Sequence, residues 1–151
     1  MALTEDQVKN AVVCALPTLG FDARSIKTLN EHGVDILARN RKVARYFLIE
    51  AKGDSPSKAK HPKSGREVRF LQSVGQLVTR IHPERGYYYG LAYPCSYKDL
   101  VTRRLCPGLL KKLHIHLFFV DDKLRVEHLT WRDVKQQLQS AAEDERQTAK
   151  P

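Results

Sequence analysis

Cysteine is scarce in this sequence, and its spacing excludes two classes of small protein. The chain has three cysteines in 151 residues. Cys14, Cys95 and Cys106 are widely spaced and form no Cys-x-x-Cys pair, which excludes both a disulfide framework and a zinc knuckle. Free thiols agree with a reducing compartment, and we expect all three to be small residues in or near the core.

Long apolar runs and several enzyme motifs are also missing. No stretch approaches the roughly eighteen consecutive apolar residues that mark a membrane helix, and the first residues do not resemble a secretory signal. We therefore expect no membrane span and a cytoplasmic protein. The sequence has no glycine-rich phosphate loop, Gly-x-Ser-x-Gly elbow or Rossmann fingerprint, which argues against an ATPase, a serine hydrolase and a dehydrogenase.

Acidic side chains are outnumbered by basic ones. The sequence has 26 Lys and Arg against 17 Asp and Glu, which gives a net charge of +9. A charge of this sign favours a polyanionic partner, and nucleic acid is the first candidate. The length predicts one domain, with bounds at residues 1–142. The polar residues 143–151 show no apolar periodicity, so we expect them to form a disordered tail.

An apolar segment that ends in charged residues is the most informative feature of the chain. Residues 46–49 are Tyr-Phe-Leu-Ile and predict a buried strand, which runs directly into Glu50-Ala51-Lys52. Alternate residues of a strand face the same side, so Glu50 and Lys52 project together. Residues 33–38 predict the preceding strand. A hairpin centred near residues 42 and 43 would then place Asp35 opposite Glu50, with Cβ atoms about 5 Å apart.

Two carboxylates at this distance favour a bound cation. They repel each other unless a positive charge lies between them. Oxygen ligands in a site that keeps room for water and phosphate suit Mg²⁺, with Mn²⁺ as a substitute. With such an ion, Asp35, Glu50 and Lys52 could supply the nucleophilic water, the Lewis acid and the charge relief that phosphodiester hydrolysis needs. The alternative is a surface salt bridge between Glu50 and Lys52.

The same residues resemble those of a known nuclease superfamily. Gly33-Val34-Asp35, then Glu50-x-Lys52 and then a helix with Gly75-Gln76-Leu77 resemble the PD-(D/E)XK superfamily of restriction-endonuclease-like nucleases, over roughly residues 4–120. The family's proline is Val34 here, and the tyrosine often found four residues after the helix glutamine is Arg80.

This resemblance implies a fold and a set of roles. The fold is α/β with an αβββαβ core. Asp35 and Glu50 would bind the metal, and Lys52 would orient the attacking water or stabilise the pentavalent phosphate. Gln76 matches the glutamine that assists this cluster in several branches. Glu5 or Asp6 on the first helix would complete the metal shell, as a helix acid does in some relatives, and Glu5 is the residue we select.

Four basic residues follow the predicted metal-bearing strand. A polar segment with prolines and serines leads from Gly53 to the next helix, and its basic residues are Lys58, Lys60, Lys63 and Arg66. Beside the site they would neutralise phosphates and bind the DNA backbone in a salt-dependent manner. A solvated loop with incidental charge is the alternative.

The remaining pattern predicts a mixed sheet covered by helices on both sides. Thr4 to Gln7 have the form of a helix capping box. Further strands are expected at residues 25–31, 87–93, 114–120 and 123–129, and helices at 67–82, 97–105 and from 131 onward. Tyr87, Tyr88 and Tyr89 could stack on unpaired bases, although a core position is the more common role of such residues.

The leading hypothesis is a metal-dependent DNA endonuclease or exonuclease domain that hydrolyses phosphodiester bonds with a metal-activated water. The first alternative is an inactive nucleic-acid-binding module with the same fold, acting as a subunit of a larger complex. The second is a protein-interaction domain whose charge is incidental. The sequence leaves open whether the chain acts alone, as a homodimer or in a larger assembly.

Overall fold

The computed structural model describes residues 2–27, 33–54 and 62–149. The elements, in chain order, are α1 (Glu5–Ala15), β1 (Phe21–Ile26), β2 (Ile36–Asn40), β3 (Tyr46–Ala51), α2 (Pro62–Val78), β4 (Tyr87–Pro94), α3 (Lys98–Arg104), α4 (Pro107–Leu113), β5 (Ile115–Val120), β6 (Val126–Leu129) and α5 (Trp131–Thr148). The predicted capping box is confirmed, because Thr4 accepts a hydrogen bond from the Gln7 backbone and donates its own backbone N–H to the Gln7 side chain.

Six strands form one mixed sheet in the order β1-β2-β3-β4-β5-β6. The pairs β1-β2, β2-β3 and β5-β6 are antiparallel, whereas β3, β4 and β5 run parallel. In chain order, the first six helices and strands are α1, β1, β2, β3, α2 and β4. This is the αβββαβ order of the restriction-endonuclease-like core that the sequence predicts.

Helices cover both faces of the sheet, as predicted. Strand β3 shows why, because its residues alternate between two apolar clusters. Phe47 and Ile49 pack on the face covered by α1, together with Val12. Leu48 packs on the other face with Leu77 of α2. Since Glu50 is two residues from Leu48, its side chain lies on the α2 face of the sheet.

Strand β1 lies earlier in the chain than predicted. The sequence predicts a first strand at residues 25–31, whereas β1 begins at Phe21 and spans Phe21–Ile26; residues 28–31 of the predicted range lie outside the described residues. Gly20 has a φ of +84°, in the left-handed region, and it ends the short 3-10 turn at Leu16–Leu19. The chain therefore reverses at Gly20 and enters the sheet at once.

Helix α5 and the cysteines also differ from expectation. The structure has residues 143–148 in α5, where the sequence predicts an irregular tail. Ala, Glu, Gln and Arg are strong helix formers, so the helix continues without core contacts. The prediction of core cysteines is wrong, because Cys14, Cys95 and Cys106 are all exposed. Within the described parts of the chain, no helix has the length and apolar character needed to span a bilayer.

Candidate active site

The hairpin between β2 and β3 has the predicted register. Ile36 lies opposite Ile49 and Leu37 opposite Leu48, so the next step outward sets Asp35 opposite Glu50. The reversal is closed by a hydrogen bond from the Asn40 backbone N–H to the Arg45 carbonyl, 2.8 Å. A shift of one residue would have turned one of the two acids to the opposite face.

Glu50 is a buried acid beside a second acid. Its side chain is about 2 % exposed, and it shares a side-chain hydrogen bond with Asp35. Burial first, and then the neighbouring charge of Asp35, raise the pKa of Glu50 to about 8. Glu50 is therefore mostly protonated at neutral pH. Asp35 is fixed from the other side, because its Oδ2 accepts the backbone N–H of Ala51 at 2.7 Å.

Arg80 approaches Glu50 from the turn after α2. Its Nε lies 2.9 Å from Glu50 Oε1. The short distance describes an ion pair, but the two atoms are misaligned for a hydrogen bond, and both are buried without a hydrogen-bond partner. A buried oxygen without an aligned donor keeps most of its desolvation cost. Glu50 Oε1 therefore retains capacity for a further ligand.

Helix α1 brings two more charged groups to the site. Lys9 Nζ is almost fully buried and lies 3.1 Å from Glu5 Oε1 and 3.9 Å from Asp35 Oδ1. It also donates to the backbone carbonyl of Lys27 at 3.1 Å. Burial lowers the pKa of Lys9, but the Glu5 hydrogen bond and the charge of Asp35 outweigh it, so the pKa lies above its usual value. Glu5 Oε2 is in turn 3.9 Å from Lys52 Nζ.

A close backbone contact holds α1 at this position. A Cβ atom on Gly53 would lie only 2.4 Å from the backbone nitrogen of Glu5, so glycine is required there. Asp54 stabilises the same contact through two hydrogen bonds of 2.8 Å. Its backbone N–H donates to the Leu3 carbonyl, and its carboxylate accepts from the Leu3 backbone N–H. The start of α1 is thereby fixed against the end of β3, where Lys52 follows.

The structure brings together Glu5, Asp35, Glu50 and Lys52, all of which the sequence singles out. Gln76 is exposed on α2. Its supporting role stays a prediction. Sequence reasoning missed Lys9 as a member of the site. It noted Arg80 only as a departure from the family pattern, and that departure was the available signal.

The predicted phosphate-binding residues are only partly described. Lys58 and Lys60 lie outside the described residues. Lys63 is exposed near the start of α2. Arg66 is half-buried and donates to the Ser96 carbonyl at 3.4 Å. The described members of this group therefore lie near the beginning of α2, and their role in DNA binding stays a prediction.

Two facing carboxylates are the donor set available for a metal ion. Among residues 2–27, 33–54 and 62–149, no group of three or more His, Cys, Asp or Glu side chains is arranged to hold a metal. Mg²⁺ does not need such a cage, since it commonly binds through one or two carboxylates together with water and substrate phosphates. Asp35 and Glu50, with its unpartnered Oε1, fit that requirement.

Comparisons with known proteins give weak likenesses. No family model matches the chain, and no curated protein does. A crystal structure of an XisH family protein from Nostoc punctiforme PCC 73102 is 18% identical, with a TM-score of 0.40 over 81% of this chain and 97% of that one. A fdxN element excision controlling factor protein from Anabaena variabilis is 16% identical, with a TM-score of 0.39 over 81% and 96%. Likenesses of this strength assign no activity.

Proposed function

We propose that this chain is a metal-dependent deoxyribonuclease domain of the PD-(D/E)XK type. The observation that carries the proposal is the convergence of Asp35, Glu50 and Lys52 at the end of one hairpin, with a buried oxygen of Glu50 that lacks a hydrogen bond. A purely structural ion-pair network does not explain why an acid that is nine-tenths or more buried stays incompletely paired. A site that binds a cation and a phosphate does explain it.

Each residue has a role that follows from its position. Asp35 and Glu50 would hold Mg²⁺, which when bound supplies a Lewis acid for the scissile phosphate and favours ionisation of a water molecule. Lys52 orients the attacking water and stabilises the charge that develops on the phosphate. Glu5, 3.9 Å from Lys52 Nζ, orients the lysine. Asp35 itself is oriented by the backbone N–H of Ala51.

Arg80 has two roles in this proposal. Without a metal it lies beside Glu50 and reduces the cost of burying that acid. Because the contact is not an aligned hydrogen bond, little is lost when the guanidinium group moves. The planar guanidinium group of Arg80 would also be suited to bind a phosphate oxygen of the DNA.

Plasmid nicking tests the proposal directly. We expect the full chain to nick supercoiled DNA with Mg²⁺ or Mn²⁺ and to lose this activity in chelator. Asp35→Ala and Lys52→Ala should each reduce the rate about 100-fold or more. Lys135→Ala is the matched control, because Lys135 is an exposed lysine of α5. Equal nicking by the parent, both site variants and the control would show contamination and refute the proposal.

A second candidate is a nucleic-acid-binding module that does not cut. The observation that favours it is the ion-pair network itself, since Lys9 and Arg80 already compensate the two acids without a metal. This alternative predicts salt-sensitive DNA binding that persists in chelator and is unchanged in Asp35→Asn. Anomalous density for Mn²⁺ between Asp35 and Glu50 in soaked crystals distinguishes the two, because only the nuclease requires the ion.

A further inference from the structure

A cavity separate from the carboxylate site is lined by residues of both apolar clusters, among them Phe47 and Trp131. Its volume is about 480 Å³, which is within the range of small-ligand sites. Phe47 of β3 contributes to its lining, whereas Glu50 lies three residues further on and faces the opposite side. At about 3.3 Å per residue the two sites are roughly 10 Å apart along β3, so they are separate sites.

The cavity combines aromatic rings with positive charges. Tyr88 and Trp131 line it, together with Arg45, Lys111 and Arg132. The Arg45 guanidinium group lies 5.3 Å from the centre of the Tyr88 ring and also contacts the tyrosine hydroxyl. Lys111 and Arg132 lie 4.8 and 5.1 Å from the centre of the Trp131 ring.

These charges have no acidic partner. Among the described residues, no Asp or Glu lines the cavity. None of the three cations forms a salt bridge with any carboxylate in the described ranges. The rings therefore hold the cations in place through cation–π contacts while their charge remains uncompensated. Such an arrangement favours an anionic ligand with a flat apolar part.

A histidine pair forms part of the same wall. His116 Nδ1 and His128 Nε2 are 2.7 Å apart. Burial, followed by the charge of His128, lowers the pKa of His116 to about 4, and burial lowers the pKa of His128 as well. Both rings are then neutral near pH 7. A neutral pair that shares one hydrogen bond leaves one N–H donor and one acceptor nitrogen for other partners, which matches the edge of a nucleobase.

We propose that this cavity binds a nucleotide, with the base against the aromatic rings of Tyr88 and Trp131 and the phosphate near Arg45, Lys111 and Arg132. The nucleotide can be free or part of an unpaired strand. A neighbouring cavity of about 740 Å³ shares Arg45, Tyr88 and His114 with the first, and it offers room for an adjacent nucleotide. This site does not depend on phosphodiester hydrolysis at Asp35 and Glu50.

Trp131 provides a direct probe, because it is the only tryptophan of the chain. Its fluorescence is followed during titration of the full chain, in chelator and low salt, with dTMP, with an oligothymidylate and with deoxyribose 5-phosphate. We expect a saturable change with the oligothymidylate, and with dTMP if a free nucleotide suffices. Deoxyribose 5-phosphate, which lacks the base, should bind at least about tenfold more weakly, as expected for the loss of one stacking contact.

Two variants and one control complete the test. Arg45→Ala and Tyr88→Leu should each weaken binding about tenfold, whereas Arg103→Ala, on the surface of α3, should leave it unchanged. Arg45 is exposed in the hairpin, so its variant serves if Tyr88→Leu does not fold. No saturable change with either nucleotide ligand overturns the proposal. Equal binding by the parent and Arg45→Ala, or by the sugar phosphate and dTMP, overturns it too. Because chelator is present throughout, failure here is distinct from failure of the nuclease.

Discussion

Replacing Glu50 with glutamine tests the electrostatics of the candidate site. Glutamine keeps the size of the side chain but does not titrate. Glu50 has its pKa raised from an ordinary 4.5 to about 8 in the folded protein. Between these values the folded state keeps a proton that the unfolded chain has lost. The stability linked to this proton is therefore complete below about pH 4.5 and is lost as the pH rises through about 8.

The magnitude follows from the shift. Each pKa unit corresponds to about 1.4 kcal/mol, so the free energy of unfolding of the parent should fall by on the order of 4 kcal/mol between pH 5 and pH 8 because of Glu50. Glu50→Gln lacks this contribution. The stability of the variant relative to the parent should therefore rise with pH by about the same amount, since the other titrating groups are common to both proteins.

Urea unfolding in chelator at a series of pH values measures this difference. Chelator keeps metal from the two carboxylates, so the measurement refers to the metal-free state. Glu84→Gln, the same substitution at an exposed position, is the matched control for the chemical change. A difference between Glu50→Gln and parent that stays constant from pH 5 to pH 8, within about 1 kcal/mol, would refute the burial and pairing described for Glu50.

Four further substitutions give definite expectations. Lys9→Met removes a buried cation that lies beside the partly buried acids Glu5 and Asp35, so urea unfolding should show a loss of stability of about 3 kcal/mol. A loss under about 1 kcal/mol contradicts this. Gly53→Ala forces a Cβ to 2.4 Å from the α1 backbone, whereas a Cβ added by Gly75→Ala meets nothing within 4 Å. Thermal unfolding should show the Gly53 variant destabilised by about 3 kcal/mol and the Gly75 variant stabilised by about 0.5 to 1 kcal/mol. Equal effects of the two substitutions would exclude the close contact. Arg80→Gln removes a charge that lowers the pKa of Glu50, so this pKa should rise further in the variant. In the same urea series, the loss of stability with rising pH should then extend above pH 8. A loss that ends at the same pH as in the parent contradicts the ion pair.

The acid pair could be found in the sequence because strand geometry is strict. Side chains alternate along a strand, so the hydrophobic pattern of residues 46–49 fixes which face Glu50 occupies. The length of the reversal then sets the register, and Asp35 follows. The element order αβββαβ was implied by the resemblance to the PD-(D/E)XK superfamily, whereas the periodicity of the segments predicted a mixed sheet covered by helices on both sides.

Lys9 and Arg80 could not be found in this way. Lys9 lies on α1 and Arg80 in the turn after α2, both outside the hairpin, and their positions depend on how these helices pack. The contact of Gly53 with the α1 backbone decides the position of Lys9, and no spacing rule encodes it. The cysteines differ from expectation for a related reason, because the usual burial of a residue type does not determine where in the fold a given residue lies.

The two outer strands bear on how copies of this chain can associate. The strand β1 is irregular between Ala23 and Ser25, and it carries charged side chains at Asp22 and Arg24. At the other margin β6 has only four residues. Bulged, charged or short strands resist edge-to-edge pairing with another molecule. Extension of this sheet across a symmetry axis is therefore disfavoured, and an assembly of two copies would have to use helix or loop surfaces instead.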